Sequence, residues 1–360
     1  MAIEFGERIR RIPSYPLADG YDLGSDVAML ASNESWQPPG EPVVAAAQAA
    51  LSGANRYPDP SYAALRSALS ARYGIAKQRI ALGNGSCDIL LSAGDALLEP
   101  GAEVVYSWPA FSVYPHLAAA SGARAIQVPL DSDDRHDLDA MATEITVATR
   151  LVLICNPNNP TSTSIGLDAV EAFLHRVPRH IAVILDEAYA EYALALGDTY
   201  ASVELLARWP NLVILRTFSK VYGLAGLRVG YGLCGSEDFR VAVDQVRQPF
   251  YLNVAAQAAA VQALRHQDEV ERRVVRTVAA RIELSDRLRE LGLWVAESDA
   301  NFVWTHLPED AVEADVVAGL ASRGVLVRAG GALGRDGSLR VTVGTDDENA
   351  RFLSAMSELV

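Results

Sequence analysis

Apolar residues along this chain gather in short unbroken runs separated by amphipathic stretches. EVVYS (103–107), AIQVPL (125–130), RLVLIC (150–155), IAVILD (181–186), NLVILR (211–216) and RVGYGL (228–233) are rich in β-branched residues. Such runs predict strands, and apolar residues at consecutive positions predict burial of both faces, as in a parallel sheet. Helical patterns over 41–52, 60–73, 112–121, 167–177, 199–209 and 237–247 surround or separate them. This alternation predicts an α/β domain with a largely parallel sheet. After Pro249 a long helical pattern runs over 253–291. Shorter strands follow at NFVWTHL (301–307), GVLVR (324–328) and SLRVTVG (338–344), with helices at 310–323 and 346–358. The expected organisation is an N-terminal arm (1–40) rich in Pro, Gly and Ser, a large α/β domain (41–248) and a smaller α+β domain (249–360). The long helix joins the two domains as a hinge.

Composition narrows the function. The 360 residues are 50% hydrophobic and 21% charged, as expected of a chain with a full core. A net charge of −14 argues against a nucleic-acid or anionic-membrane partner, since both attract basic surfaces. Cys87, Cys155 and Cys234 form no CxxC motif and no Cys/His cluster, so free thiols and no metal site are expected. No apolar run approaches the roughly 20 residues of a membrane span, and the first residues lack an apolar signal core. A soluble cytoplasmic protein is expected.

The charge inventory holds one anomaly. Of 31 Lys and Arg residues, only Lys77 and Lys220 are lysine. Lysine differs from arginine in that its buried amine can lose a proton and attack a carbonyl, forming a Schiff base. Lys220 follows the strand-like run NLVILR in TFSK. Ligands of open α/β sheets bind beyond the carboxyl ends of the strands. Reading those ends gives Asp186 in DEAY, the segment NPNNPTS (156–162), and Thr217, Ser219 and Lys220. Upstream, GNGSCDILL (83–91) is a Gly-rich turn opening a helix, whose free backbone N–H groups suit a phosphate. Asp186 could also read as the magnesium-binding carboxylate of a P-loop ATPase, but the chain has no GK pair. Together these residues suit one ligand. Its phosphate is held by residues 85–87, Thr217, Ser219 and Arg228, its ring nitrogen faces Asp186, and its aldehyde meets Lys220. Pyridoxal phosphate has those parts.

The order GxGS, NPxNPT, DEAY and SKxxGLAGLR resembles the aspartate-aminotransferase-like fold type I pyridoxal-phosphate enzymes. It is most similar to the histidinol-phosphate aminotransferase family. The resemblance runs from ASNES (31–35) to SLRVTVG (338–344) and includes RYPDP, ANFVW and AGLRVGY. ASNES, PAFSVYP and NPTST look most like the family's aromatic amino acid aminotransferase branch. The resemblance implies that Lys220 carries the cofactor and moves the proton, and that Asp186 pairs with the pyridine nitrogen. Asn159 and Tyr189 would hydrogen-bond the ring hydroxyl, and Phe111 would stack on the ring where relatives often have tyrosine. Gly85, Ser86, Cys87, Thr217, Ser219 and Arg228 would hold the phosphate. Tyr57 would reach the cofactor of the other subunit of a homodimer with shared active sites. Arg340, with Arg328 nearby, would bind the substrate carboxylate. Tyr15, Tyr21 and Trp36 on the arm, with Phe250 and Tyr251, are expected to line the mouth and suit an aromatic ring. Ser162 departs from the glycine common after NPT and is expected close to the ring.

The expected activity is transfer of the amino group of an aromatic L-amino acid to 2-oxoglutarate by a ping-pong route. The alternative substrate is histidinol phosphate. A decarboxylase or β-lyase on the same fold would share Arg340 and differ in product. A transcription regulator built on this fold would need a DNA-binding module, and only about 30 residues precede the motifs.

Overall fold

The structure is a computed structural model that describes residues 3–5, 7–12, 26–193 and 199–360. Strand β1 (Ala28–Met29) is followed by seven strands that form one sheet: β2 (Ile80–Gly83), β3 (Glu103–Trp108), β4 (Arg124–Pro129), β5 (Thr149–Cys155), β6 (Ala182–Asp186), β7 (Leu212–Thr217) and β8 (Gly230–Cys234). Their order is β2-β8-β7-β6-β5-β3-β4. Strands β4, β3, β5, β6 and β7 run parallel, while β8 is antiparallel to both β7 and β2. Side chains alternate across the sheet. Val183, Leu185, Leu212 and Ile214 enter one core, and Ile184, Val213, Leu215 and Cys155 enter the other. Helices cover both faces of the central strands, which is why their runs are apolar throughout. β4, at the sheet edge, differs from the expected burial of both faces, since only Val128 of its residues is buried.

Four further strands form an antiparallel sheet, β9 (Trp294–Val295), β10 (Phe302–His306), β12 (Arg328–Ala329) and β13 (Ser338–Thr342), in the order β12-β13-β10-β9. Between them in sequence, β11 (Val325–Leu326) pairs in parallel with β1. The expected strand GVLVR is thus two short strands that enter different sheets, with the change at Val327.

Two helical expectations also change. The pattern over 253–291 is two helices, Val254–Ala263 and Gln267–Glu290. The first ends in a tightened turn, where the Arg265 and His266 amides donate to Gln262 and Ala263 carbonyls, and no Gly or Pro marks the break. The pattern over 199–209 yields only the short helix Ala201–Leu205. None of the described helices is long and apolar enough to cross a membrane.

Candidate active site

A cleft of about 420 Å³ opens at the carboxyl ends of β5, β6 and β7. Cys155, Asp186 and Thr217, the last residues of those strands, all line it. Asp186 is buried, and the Tyr114 hydroxyl donates to its Oδ2 at 3.2 Å. Among the described residues, Oδ1 has no hydrogen-bond partner. Burial raises the carboxyl pKa to about 6, against the lowering effect of the Tyr114 hydroxyl. A buried carboxylate in that position is stabilised by a cationic donor arriving from within the cleft.

Lys220 faces the same space. Its Nζ donates to the Asn33 carbonyl at 2.9 Å and the Ser32 carbonyl at 3.3 Å, and lies 5.6 Å from the centre of the Tyr189 ring. Burial lowers its pKa to about 7, and the positive charges of Arg340 and Arg228 act in the same direction, opposed by Glu34. The amine is therefore partly neutral near pH 7. Asn33 joins several parts of the site. Its Nδ2 donates to the Tyr189 hydroxyl at 3.1 Å, its amide donates to Thr342 Oγ1 at 2.9 Å, and its carbonyl also accepts from Asn301 Nδ2 at 3.2 Å.

At the opposite wall, the helix Ser86–Leu97 begins after Gly85, whose φ of 75° requires the left-handed region that glycine tolerates. No side chain caps this helix, so its first N–H groups are available. The adjoining strand makes room for the turn. A Cβ on Gly230 would stand 2.4 Å from the Ser86 nitrogen, and one on Gly85 would stand 2.5 Å from Arg228 Nη2. Arg228 itself has φ 58° and donates to the Ala225 carbonyl at 3.0 Å, and its Nη1 reaches Ser219 Oγ at 3.4 Å. Thr217 Oγ1 donates to Ser219 Oγ at 2.9 Å. Backbone N–H groups, two hydroxyls and a guanidinium converge on one cup.

Across the cleft, Arg340 is buried on β13. Its Nη1 donates to Asn159 Oδ1 at 2.6 Å and its Nη2 to the Ala31 carbonyl at 2.6 Å. Arg328 faces it in register on β12 and lines the same cleft. Phe111, Tyr189 and Leu333 supply apolar wall. Phe111 packs edge-to-face on Tyr114, centroids 5.9 Å apart.

The cleft therefore gathers Ser86, Cys87, Phe111, Asn159, Asp186, Tyr189, Thr217, Ser219, Lys220, Arg228, Arg328 and Arg340, with Gly85 at its edge. Other expected residues stand elsewhere. Tyr57 is 80% exposed and stacks on Phe250, centroids 4.5 Å apart, outside the cleft. Tyr251 packs on Tyr62 and under Arg247. Trp36 lines a separate hollow with Thr345 and Glu348. The expected aromatic lining from Trp36, Phe250 and Tyr251 is thus not present within this chain's cleft. Tyr15 and Tyr21 lie outside the described residues. Ser162 is also not in the cleft wall. It is fully buried at φ 61°, and its hydroxyl donates to the Thr161 carbonyl, so the position demands left-handed backbone and does not line the cleft. Conversely, Tyr114 touches Asp186 and Asn33 touches both Lys220 and Tyr189. Neither residue has a role legible in the sequence, although they fall in the segments PAFSVYP and ASNES.

Among the described residues no group of three His, Cys, Asp or Glu side chains could hold a metal ion. Comparison with known proteins matches residues 25–356 to the family model for aminotransferase class I and II. The chain is 43% identical to histidinol-phosphate aminotransferase 2 of Ralstonia nicotianae, over 99% of this chain and 97% of that protein. It is 42% identical to the aromatic amino acid aminotransferase of Streptomyces coelicolor, over 96% and 95%. The crystal structure of histidinol-phosphate aminotransferase from Sinorhizobium meliloti in complex with pyridoxal-5'-phosphate superposes with a TM-score of 0.83, at 30% identity, over 92% of this chain and 90% of that one. The strand order and the cleft at the strand ends accord with these likenesses: the chain belongs to the class I and II aminotransferases, pyridoxal-phosphate-dependent enzymes of the aspartate-aminotransferase-like type I fold.

Proposed function

We propose that this aminotransferase moves the amino group of an aromatic L-amino acid to 2-oxoglutarate by a ping-pong route. The observation that carries the reading is the buried Arg340 guanidinium, fixed by Asn159 and Ala31 and facing a cleft whose remaining wall includes Phe111 and Leu333. A planar guanidinium suits one carboxylate bidentately, and the apolar wall suits a ring.

The cofactor fits the residues present. Asp186 Oδ1, buried without a protein partner, would accept from the pyridine nitrogen. The cup of Gly85, Ser86, Cys87, Thr217, Ser219 and Arg228 would hold the phosphate. Asn159 and Tyr189 would bond the ring hydroxyl, and Phe111 would cover the ring face. Bound there, pyridoxal phosphate supplies an electron sink for the substrate's α-carbon. Asp186 keeps a negative charge beside the ring nitrogen. Lys220 Nζ, with its pKa near 7, accepts and returns one proton at neutral pH. Arg340 orients the substrate by its carboxylate.

The same reading makes the enzyme a homodimer, with Tyr57 reaching the partner's cofactor. Its surface pairing with Phe250, outside its own cleft, supports action on a neighbour. The three free cysteines accord with a cytoplasmic location. On this reading the chain divides into an arm (1–40), a large domain (41–248) and a small domain (249–360). The strands of the two main sheets fall on either side of 249, while Leu252, Ala256, Ala260 and Val270 pack in the core of the large sheet.

Histidinol phosphate is the second reading. Arg328 and Arg340 face each other in register, and two guanidiniums would suit a doubly charged phosphate. The ratio of kcat/KM for phenylalanine to that for histidinol phosphate, with 2-oxoglutarate as acceptor, decides between them. A ratio above one is expected, and a ratio clearly below one overturns the aromatic reading.

A further inference from the structure

The apolar wall at Leu333 is built by an arrangement that reaches across from the large sheet. Asp134, in the loop after β4, is 1% exposed. Its Oδ2 accepts from Trp304 Nε1 at 3.0 Å and contacts His306 Nε2 at 2.9 Å, and its Oδ1 accepts from Arg335. All three partners lie beyond residue 300. Asp134 holds a left-handed φ of 59°, and its own carbonyl accepts from Thr163 Oγ1 at 2.7 Å. Trp304 in turn packs with Leu333 in a small buried cluster. The turn that carries Leu333 is fixed on its other side. A Cβ on Gly334 would stand 2.6 Å from the Trp108 ring, and the Gly331 amide donates to Glu313 at 3.1 Å.

We propose that Asp134 is a positioning residue for substrate side-chain selection. By holding Trp304 and Arg335, it sets the Gly331–Leu333 turn and makes Leu333 a fixed apolar wall of the cleft. The inference rests on the reading that the substrate side chain packs in this cleft. A buried carboxylate with three donors has one low-energy arrangement, because leaving a donor or the charge unpaired is costly. Leu333 therefore packs against the substrate without first having to be ordered.

The test compares substrates that differ only in side chain, phenylalanine and alanine, with 2-oxoglutarate as acceptor. Arg335→Ala removes a half-exposed partner and spares the core. It is expected to lower kcat/KM for phenylalanine about 10-fold, chiefly through KM, and to leave alanine within about 2-fold. Asp134→Asn should give a larger loss in the same direction, with cofactor affinity and absorbance unchanged. Once Leu333→Ala is in place, adding Arg335→Ala should no longer change the phenylalanine-to-alanine ratio, because the two act through one contact. If Arg335→Ala lowers Tm but leaves that ratio unchanged, Asp134 only holds the fold and the inference is overturned. The unmodified enzyme's ratio of phenylalanine to histidinol phosphate is a separate result, so failure of the substrate reading is distinguishable from failure of this one.

Discussion

Burial displaces two groups in this cleft in opposite senses, Asp186 upward to about 6 and Lys220 downward to about 7. For Asp186 the raised value means stability present at low pH and lost as pH rises through about 6. For Lys220 the lowered value means stability present at high pH and lost as pH falls through about 7. Near neutral pH the cofactor-free protein thus carries a charged, half-partnered carboxylate and an amine whose charge is disfavoured. A cation beside Asp186 and covalent capture of the amine relieve both. Pyridoxal phosphate added to stripped protein at pH 7.5 should raise Tm, and by less in Asp186→Asn. Asp186→Asn should also lower turnover at least 100-fold, while Asp186→Glu, which keeps the charge, retains more. Equal turnover in the two variants would reduce Asp186 to a structural carboxylate. Both residues were legible in the sequence for chemical reasons: one of only two lysines in a chain whose other cationic side chains are arginine, and a carboxylate ending an apolar run. The roles of Asn33 and Tyr114 were not, because each depends on contacts with residues far along the chain (156 and 72 positions away).

At the scale of elements, strand ends deliver the chemistry. β6 ends on Asp186 and β7 on Thr217, while the turn after β2 opens the helix Ser86–Leu97. The central parallel strands were readable because covering both faces leaves an apolar residue at nearly every position, whereas β4 at the edge is mostly exposed. The run IALG of β2 is too short to stand out, and nothing local fixes the antiparallel direction of β8, which its pairing with β2 and β7 sets. The break at 264–266 carried no Gly or Pro, and so the pattern read through it. Gly230 shows what this packing demands. Its Cα faces the backbone of Gly85 and Ser86 in the proposed phosphate cup, and neither side can yield without moving a strand or a helix start. Gly230→Ala should cost about 1–3 kcal/mol of stability, as overpacking does, and weaken pyridoxal phosphate binding at least 10-fold, read by Tm and by cofactor titration. Unchanged values for both would mean that the turn is softer than its contacts imply.

At the scale of the whole molecule, the cleft is assembled from three parts of the chain. The large sheet supplies Asp186 and Lys220, the small sheet supplies Arg328 and Arg340, and residues 31–34 lie between them, touching both Lys220 and Arg340. Sequence order alone hid this, since Ala31 and Arg340 are 309 positions apart. The proposed fourth part is Tyr57 of a second subunit. Tyr57→Ala and Lys220→Ala, each inactive as a homodimer, should recover partial activity when subunits exchange, because a mixed dimer contains one site free of both changes. No recovery after proven exchange would place Tyr57 outside catalysis.

Lys220 is the residue proposed to carry the cofactor, and the chain's two lysines make that directly measurable. The purified enzyme, yellow with cofactor, is reduced with borohydride, digested and mapped by mass spectrometry. One pyridoxyl adduct is expected, on the peptide containing Lys220, with loss of the adduct in Lys220→Arg. An adduct on Lys77, or none on Lys220 in an active preparation, would contradict that role.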